Sequence, residues 1–183
     1  MKVLFHCCCA PCTVGCLTIL RNLNPVLFWY NPNIHPYTEY KARKNALENF
    51  ARENGGNGNN MDNMELIIKD YYGLREFLRG TLHDLENKCG FCYNLRLGEC
   101  AKFAAENNFE AFSSTLLVSP WQDHEKIKET GGKCAERYNI KFFYADFRGN
   151  FYAGKKQARE NNIYMQKYCG CIFSEEERYS VNL

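Results

Sequence analysis

Most of the eleven cysteines in this chain gather in three short segments near its start, middle and end. The segments are Cys7-Cys8-Cys9-Ala10-Pro11-Cys12, Cys89-Gly90-Phe91-Cys92 and Cys169-Gly170-Cys171. Thiolates are ligands of soft metal centres, and clustered thiols in a reducing compartment more often bind metal than pair with each other. The odd number of cysteines also argues against complete pairing. We therefore expect the three segments to fold together around a metal centre.

The number of thiols exceeds what one structural zinc ion needs. A zinc site takes four ligands, and these segments supply about twice as many thiolates. Iron–sulfur clusters are also held by four thiolates, so a surplus beside one indicates a second metal or a reactive thiol. The pattern favours an iron–sulfur centre. A zinc-stabilised RNA-binding module and a Cys89–Cys92 dithiol oxidoreductase are the alternatives.

Local spacing predicts how the thiols face. Adjacent residues in extended backbone point to opposite sides, so Cys8 and Cys9 are expected to bracket two neighbouring centres. Cys89 and Cys92 lie three residues apart at a predicted helix start, where backbone N–H groups favour thiolates. Cys169 and Cys171 flank Gly170, and their two side chains can point to the same side of the backbone.

Other residues near these segments have simpler interpretations. Small apolar side chains would serve equally well at four further cysteines, for which we expect inert packing: Cys7, Cys16, Cys100 and Cys134. His6 ends the first predicted strand and is expected to be a hydrogen-bonded core residue.

Charge and composition restrict location and partners. The formal charge of +2 is too small to indicate nucleic-acid binding by itself, although basic residues cluster at two places. One cluster is Lys41, Arg43 and Lys44; the other is Arg148, Lys155, Lys156 and Arg159, interleaved with Phe147, Phe151 and Tyr152. A solvated helix face explains such clusters as well as RNA contact does. The chain opens without a signal-peptide pattern and has no run of roughly 20 apolar residues, so we expect a cytoplasmic protein without a membrane span.

Strand and helix patterns alternate along the chain, which we expect to form one domain over residues 1–183. Strands are predicted at 2–6, 25–30, 64–69, 111–118 and 141–145, and helices at 13–23, 37–53, 73–79, 91–107, 123–138 and 153–162. Residues 54–60, rich in Asn and Gly, read as a loop. This order predicts an α/β fold with a parallel sheet between helices. Ligands collect at the carboxyl ends of such strands, where the first cysteine segment lies.

Five motifs connect the cysteine segments with the rest of the chain. They are His6-Cys7-Cys8-Cys9-Ala10-Pro11-Cys12, Cys89-Gly90-Phe91-Cys92-Tyr93-Asn94-Leu95-Arg96, Ser114-Thr115-Leu116-Leu117-Val118-Ser119-Pro120, Asp146-Phe147-Arg148 and Tyr164-Met165-Gln166-Lys167-Tyr168-Cys169-Gly170-Cys171-Ile172-Phe173-Ser174. In this order they closely resemble the QueH-type epoxyqueuosine reductase family over nearly the whole chain.

The resemblance implies a fold, an activity and cofactors. The fold would be like that of the adenine nucleotide alpha-hydrolases (HUP), with cysteine-rich loops at the strand carboxyl ends where relatives hold phosphate, so ATP use is not expected. The activity would be the reduction of epoxyqueuosine to queuosine at the tRNA wobble position, the last step of queuosine synthesis. The cofactors would be a [4Fe-4S] cluster and an additional iron. A reduced donor such as ferredoxin or flavodoxin would supply electrons.

Within this resemblance we assign roles to individual residues. Cys8, Cys9, Cys89 and Cys92 are predicted to hold the cluster, and Cys12, Cys169 and Cys171 the additional iron, with exchanged roles left open. Removing the epoxide oxygen as water needs two electrons, two protons and a Lewis acid. Asp146 and Tyr168 are candidate proton donors; a buried Asp–Arg pair and a core tyrosine are the alternatives. The predicted tRNA contacts are Arg148, Lys155, Lys156 and Arg159, with Phe147 and Tyr152 stacking on bases.

Overall fold

Five parallel strands form one sheet in a computed structural model, which describes residues 1–20, 23–54 and 64–180. The strands are β1 (Lys2–His6), β2 (Asn24–Trp29), β3 (Leu66–Ile68), β4 (Ala111–Ser114) and β5 (Lys141–Phe142). Their order in the sheet is β3-β2-β1-β4-β5. In the described part of the chain, seven helices flank the sheet: α1 (Ala10–Leu20), α2 (Tyr37–Asn54), α3 (Leu74–Thr81), α4 (Lys88–Glu106), α5 (His124–Tyr138), α6 (Phe151–Glu160) and α7 (Ile172–Tyr179). The predicted α/β class with a parallel sheet is confirmed.

Strand β1 occupies the centre of the sheet and marks a reversal of strand order. Its last residue, His6, pairs with Phe28 on β2 and with Ser114 on β4. The chain runs outward from β1 to β2 and β3, and then returns to place β4 on the other side of β1. Parallel sheets bind ligands in the crevice at such a switch point. The first cysteine segment and the residues after β4 both lie there.

Helix α6 reaches the switch point because two glycines permit close packing against α1. A Cβ atom added at Gly154 would lie 2.5 Å from the Cα of Gly15, so no larger residue fits. Helix α1 packs mainly against α6, and α4 against α5. This contact places the start of α6 beside the first cysteine segment.

Three differences from the sequence expectation have physical causes. The strand predicted over 111–118 ends at Ser114, whose side chain accepts a hydrogen bond from the Leu116 N–H and starts a 3₁₀ turn over Thr115–Val118. The strand predicted over 141–145 is shorter and covers only β5 (Lys141–Phe142). Helix α7 was not predicted, because it is only eight residues long and most of its residues are polar or charged. A second short 3₁₀ turn covers Arg148–Asn150.

Two predicted features fall partly beyond the described chain. The helix predicted over 13–23 begins earlier, at Ala10, and its residues 21 and 22 lie outside the described residues. The Asn/Gly-rich loop predicted over 54–60 lies outside them as well, except Asn54, which ends α2. Within the described ranges, no helix has the length and apolar character needed to cross a bilayer.

Candidate metal centre and cavity

Three thiols meet where the chain leaves β1 and enters α1. The Sγ atoms of Cys8 and Cys9 lie 3.8 Å apart, and those of Cys8, Cys9 and Cys12 all lie within 4.8 Å of one another. Thiolates around a tetrahedral ion with metal–sulfur bonds of about 2.3 Å lie roughly 3.8 Å apart. The three cysteines, called here the β1 triad, could therefore hold one metal ion. The prediction that Cys8 and Cys9 face opposite sides is wrong, because the chain bends at Cys8 instead of continuing as extended backbone.

Polar groups from distant segments donate hydrogen bonds to the β1 triad. Thr115 Oγ1 donates to Cys8 Sγ at 3.2 Å. Gln166 Nε2 donates to Cys9 Sγ at 3.0 Å and to Cys12 Sγ at 3.5 Å. Such outer partners orient metal ligands and tune their charge.

The three thiols of the β1 triad differ in acidity. Hydrogen bonds from Cys12 and Cys9 hold the pKa of Cys8 well below its usual range. Burial raises the pKa of Cys9, and the hydrogen bond to Cys8 raises that of Cys12. Within the triad, Cys8 is thus the thiol that loses its proton most readily.

A second group of thiols forms from the middle and last cysteine segments. Cys89 and Cys92 lie in the first turns of α4, and Cys171 caps α7 by accepting a hydrogen bond from the Ser174 N–H at 3.4 Å. Burial is the main cause that raises the pKa of Cys89, Cys92 and Cys169, and the charge of Cys171 adds to each shift, so Cys171 lies within electrostatic range of the other three sulfurs. We call these four cysteines the α4–α7 group.

Burial outweighs the helix start in setting the acidity of this group. Desolvation raises the pKa of Cys92 to about 12 and also raises that of Cys89. The backbone N–H groups at the helix start, which we expected to favour the thiolates, do not offset this desolvation. Deprotonation of these thiols requires a stronger positive charge, such as a bound metal.

Two buried guanidinium groups supply positive charge beside the thiols. Arg96 is 2 % exposed; its Nη1 lies 3.7 Å from Cys92 Sγ and its Nη2 donates to Asn31 Oδ1 at 3.1 Å. Burial opposes its charge, but Cys92, Cys8 and Cys169 raise its pKa. Across the described residues no carboxylate forms an ion pair with Arg96. The groups that interact electrostatically with Arg96 are therefore sulfur atoms of both cysteine groups, which supply a counter-charge only when they are deprotonated.

The second cation, Arg43, fixes the last cysteine segment. It is 1 % exposed, pairs with Glu39 at 2.6 Å, and donates to the carbonyl oxygens of Tyr168 and Cys169 at 2.9 and 2.8 Å. Gly170 has φ of 139°, a conformation that favours glycine, and its carbonyl accepts the His35 N–H at 2.7 Å. These contacts hold Cys169 and Cys171 against the rest of the site.

A cavity of about 290 Å³ opens beside both thiol groups. Its lining includes Cys8, Cys12 and Cys169, the buried Arg96, the apolar side chains of Leu116 and Phe151, and Trp121, Lys155 and Lys167. Pockets for small groups are usually apolar with a few convergent polar atoms. This cavity has the size for one nucleobase-like group facing sulfur atoms.

The comparison with known proteins decides the family. The sequence model of the family described as epoxyqueuosine reductase QueH matches residues 3–177. This chain belongs to the QueH family. Its relatives named epoxyqueuosine reductase QueH include one from Dehalococcoides mccartyi, 33% identical over 97% of this chain and 94% of the relative. Those from Thermotoga maritima and Acinetobacter baylyi are 35% and 34% identical, over 96% and 94% of this chain and 91% and 80% of their own lengths. The family name denotes an oxidoreductase.

The two predicted proton donors of this QueH-family chain have different surroundings. The ring of Tyr168 lines the cavity, its hydroxyl donates to the His35 carbonyl at 2.6 Å, and burial raises its pKa. Asp146 is exposed, does not line the cavity, and pairs with Arg148 at 2.6 Å. That hydrogen bond lowers the pKa of Asp146 to about 2. The geometry therefore gives no support to Asp146 as a proton donor.

The predicted tRNA contacts separate into one cavity residue and three others. Lys155 lines the cavity mouth, with its Nζ 4.5 Å from the centre of the Phe151 ring. The other three are exposed and do not line the cavity: Arg148, which pairs with Asp146, Lys156, which pairs with Glu160, and Arg159. Of the predicted stacking residues, Phe147 is buried in the core, which excludes it, whereas Tyr152 is exposed.

The residues expected to be structural are buried. All four of these cysteines are at most 1 % exposed: Cys7, Cys16, Cys100 and Cys134. His6 is fully buried, with Nδ1 2.9 Å from Ser114 Oγ and Nε2 3.1 Å from the Tyr30 carbonyl, and burial lowers its pKa to about 3. The expectation of a hydrogen-bonded core histidine is confirmed.

Four residues that contact sulfur atoms of this site had no role in the sequence interpretation. They are Thr115, Gln166 and Arg96, together with Gln122, whose Nε2 donates to Cys169 Sγ at 3.1 Å. Each residue lies far along the chain from the sulfur it contacts, except Arg96, which is one helical turn after Cys92. For Thr115, Gln166 and Arg96 the only available sequence signal was their place within the quoted motifs, and Gln122 lies outside all of them.

Proposed function

We propose that this chain reduces epoxyqueuosine to queuosine in tRNA, the final step of queuosine synthesis, in the cytoplasm. The observation that carries the proposal is the buried Arg96, which faces sulfur atoms of two cysteine groups beside one cavity; these sulfurs supply its counter-charge when a bound metal deprotonates them. A buried cation in such surroundings suits an anionic metal–thiolate centre, because burying an unpaired charge costs several kcal/mol. Family membership supports the substrate and the reaction.

Two metal centres are proposed, divided differently from the sequence expectation. We assign the additional iron to Cys8, Cys9 and Cys12, since their sulfurs are close enough for one ion. Thiolates on a four-iron cluster bind four different irons and are further apart. We therefore assign the [4Fe-4S] cluster to the four cysteines of the α4–α7 group: Cys89, Cys92, Cys169 and Cys171. Their number matches the ligand requirement of such a cluster.

The chain's own residues bind, orient and protect the reacting group. When bound, the metals would supply single electrons and a Lewis acid for the epoxide oxygen. Leu116 and Phe151 exclude water from one wall of the cavity. Thr115 and Gln166 hold the sulfurs of the β1 triad in place. Of the two predicted proton donors, only Tyr168 lines the cavity, so we propose it for that role; its hydroxyl hydrogen must leave the His35 carbonyl to reach the reacting group.

The alternatives have less support. A dithiol oxidoreductase needs a thiol of lowered pKa, whereas burial raises the pKa of both Cys89 and Cys92. A zinc-stabilised RNA-binding module would need only four ligands and no cavity facing the sulfurs. An electron donor such as reduced ferredoxin or flavodoxin completes the proposal, because the reaction consumes two electrons.

The test compares two metal forms of the same chain. Protein reconstituted anaerobically with iron and sulfide is expected to absorb broadly near 400 nm and to convert epoxyqueuosine in tRNA to queuosine with a chemical reductant. Zinc-loaded protein is the matched control and is expected to bind tRNA without converting it. Conversion by the zinc form, or none by the iron form with a full cluster, would refute the proposal.

A further inference from the structure

One large aromatic side chain at the cavity mouth is mostly exposed to solvent. Trp121 is 78 % exposed, whereas the chain's other tryptophan, Trp29, is fully buried and donates its Nε1 hydrogen to Tyr40. An indole left in water forgoes the apolar burial that normally stabilises it. Trp121 also lines the cavity that reaches Cys8 and Cys12. The exposed Trp121 side chain therefore lies at the entrance of the cavity and not elsewhere on the surface.

The turn that carries Trp121 is held on both sides. The Trp121 N–H donates to Ser119 Oγ at 3.3 Å, and the Gln122 N–H to the Ser119 carbonyl at 3.4 Å. Tyr93 Oη donates to Gln122 Oε1 at 2.8 Å and accepts the Asp123 N–H at 3.3 Å. An aromatic ring on a fixed turn loses little conformational entropy when a ligand covers it.

Positive charge surrounds the same entrance. Lys155 and Lys167 line the cavity with Trp121. Within the described ranges, neither lysine forms an ion pair with a carboxylate. Aromatic faces flanked by free cations are typical of surfaces that bind single-stranded nucleic acid, where bases stack and phosphates pair with lysine.

We infer that Trp121 is a stacking platform for the unpaired base next to the nucleotide that enters the cavity, while Lys155 and Lys167 bind the intervening phosphates. The inference rests on the proposed function and adds the neighbouring base to what the chain recognises. The indole is 78 % exposed to solvent, which leaves a large face that a flanking base of an RNA loop can cover. Extruding one nucleotide unstacks its neighbour, and Trp121 replaces the lost stacking partner.

Tryptophan fluorescence tests the inference directly, because only one of the two indoles is accessible. Iron-loaded protein would be titrated with a synthetic RNA hairpin carrying the anticodon-arm sequence of a queuosine-containing tRNA, with affinity measured independently by anisotropy of a labelled hairpin. We expect binding to quench the Trp121 emission and to protect it from iodide. A fully paired duplex of equal length should do neither. The Trp121→Ala protein, which retains Trp29, should show no quenching.

Affinity provides the second readout. Trp121→Ala should weaken hairpin binding roughly 5- to 150-fold, as expected for one lost base-stacking contact, while Trp121→Phe should retain most of it. Tyr71→Ala is the matched control, since Tyr71 is an exposed aromatic after the edge strand β3 and should change nothing. Equal binding by Trp121→Ala and wild type, or quenching by the duplex, would overturn the inference. So would a Trp121→Ala defect confined to electron transfer from reduced ferredoxin, which would mark a protein-binding surface.

The outcomes separate this inference from the proposed function. If wild type converts epoxyqueuosine tRNA while Trp121→Ala matches it in both KM and hairpin affinity, only the stacking role fails. If iron-loaded wild type with a full cluster converts no tRNA, the proposed function fails whatever Trp121 does.

Discussion

Thr115 and Cys8 exchange two hydrogen bonds across the switch point of the sheet. The Cys8 N–H donates to Thr115 Oγ1 at 3.1 Å, and that hydroxyl donates to Cys8 Sγ at 3.2 Å. One side chain after β4 thereby fixes both the backbone and the sulfur of the residue after β1. This contact holds the bend that turns Cys8 toward Cys9 and Cys12.

Removing this hydroxyl should loosen the β1 triad without changing the shape of the site. Thr115→Val keeps the volume and loses both bonds, at about 1 kcal/mol each. We expect weaker retention of the additional iron against a chelator and an unchanged sulfide content. Thr115→Ser, which retains the hydroxyl, should behave like wild type. Equal iron retention by the valine and serine variants would show that the pair of bonds does not position Cys8.

Gln166 should tune the potential of the metal bound by the β1 triad. Its amide donates to two sulfurs, and N–H donors to thiolates stabilise the more negative, reduced state. Gln166→Leu should therefore lower the reduction potential by tens of millivolts in an EPR-monitored titration. Gln157→Leu, on the exposed side of α6, is the control and should leave the potential unchanged. An unaltered or raised potential in Gln166→Leu would contradict this role.

The two adjacent lysines of α6 should contribute unequally to tRNA binding. Lys155 lines the cavity mouth, whereas Lys156 lies 3.9 Å from Glu160 and away from the cavity lining. Lys155→Glu should weaken tRNA binding and flatten its salt dependence, because phosphate contacts release counterions. Lys156→Glu should have a much smaller effect on both. The salt slope of the binding constant is the measurement, and equal slopes for the two variants would assign both lysines to a solvated face.

His35 should make the protein less stable in mild acid. Burial lowers its pKa to about 4, below the ordinary value of 6.5. The unfolded chain therefore binds a proton between these values while the folded chain does not, so stability falls as pH falls from 6.5 to 4. Between pH 6.5 and 4, His35 is expected to lower the free energy of unfolding by about 3 kcal/mol.

Replacing His35 isolates its contribution. The ring packs against Tyr72 and Phe77, so His35→Phe keeps an aromatic ring in an aromatic environment. Denaturant unfolding at several pH values should give a flatter profile for the variant than for wild type. Parallel profiles would mean that protonation of His35 is not coupled to unfolding.

The strands of the sheet were predicted from the sequence better than the directions in which the cysteine side chains point. Apolar runs marked the central strands β1 and β2, since both are buried whatever surrounds them. The bend at Cys8 depends on Thr115, more than a hundred residues away, so no local pattern contains it. The same holds for Gln166 above the β1 triad. Helix α7 was not predicted because a cysteine, Cys171, is an unusual N-cap and because the helix contains few apolar residues. Exposed Trp121 could be recognised only once the cavity was known.

The two proposed centres are distinguished by substitutions at one cysteine from each group. Cys92→Ala should abolish the cluster, because a four-iron centre that lacks a thiolate becomes labile, and iron and sulfide should both be lost after anaerobic reconstitution. Full retention of iron and sulfide in this variant would remove Cys92 from the ligand set. Cys134→Ala, at a buried position away from both groups, is the control for the effect of losing any cysteine.

The iron-to-sulfide ratio of anaerobically reconstituted Cys12→Ser tests the account most directly, when it is measured together with queuosine formation. Wild type should contain one more iron than sulfide and should convert epoxyqueuosine tRNA. Cys12→Ser should keep its sulfide and its absorbance near 400 nm, lose the extra iron and form no queuosine, because the cluster remains while the Lewis acid is gone. A variant that loses sulfide along with iron, or one that still forms queuosine at the wild-type rate, would contradict a separate catalytic iron on the β1 triad.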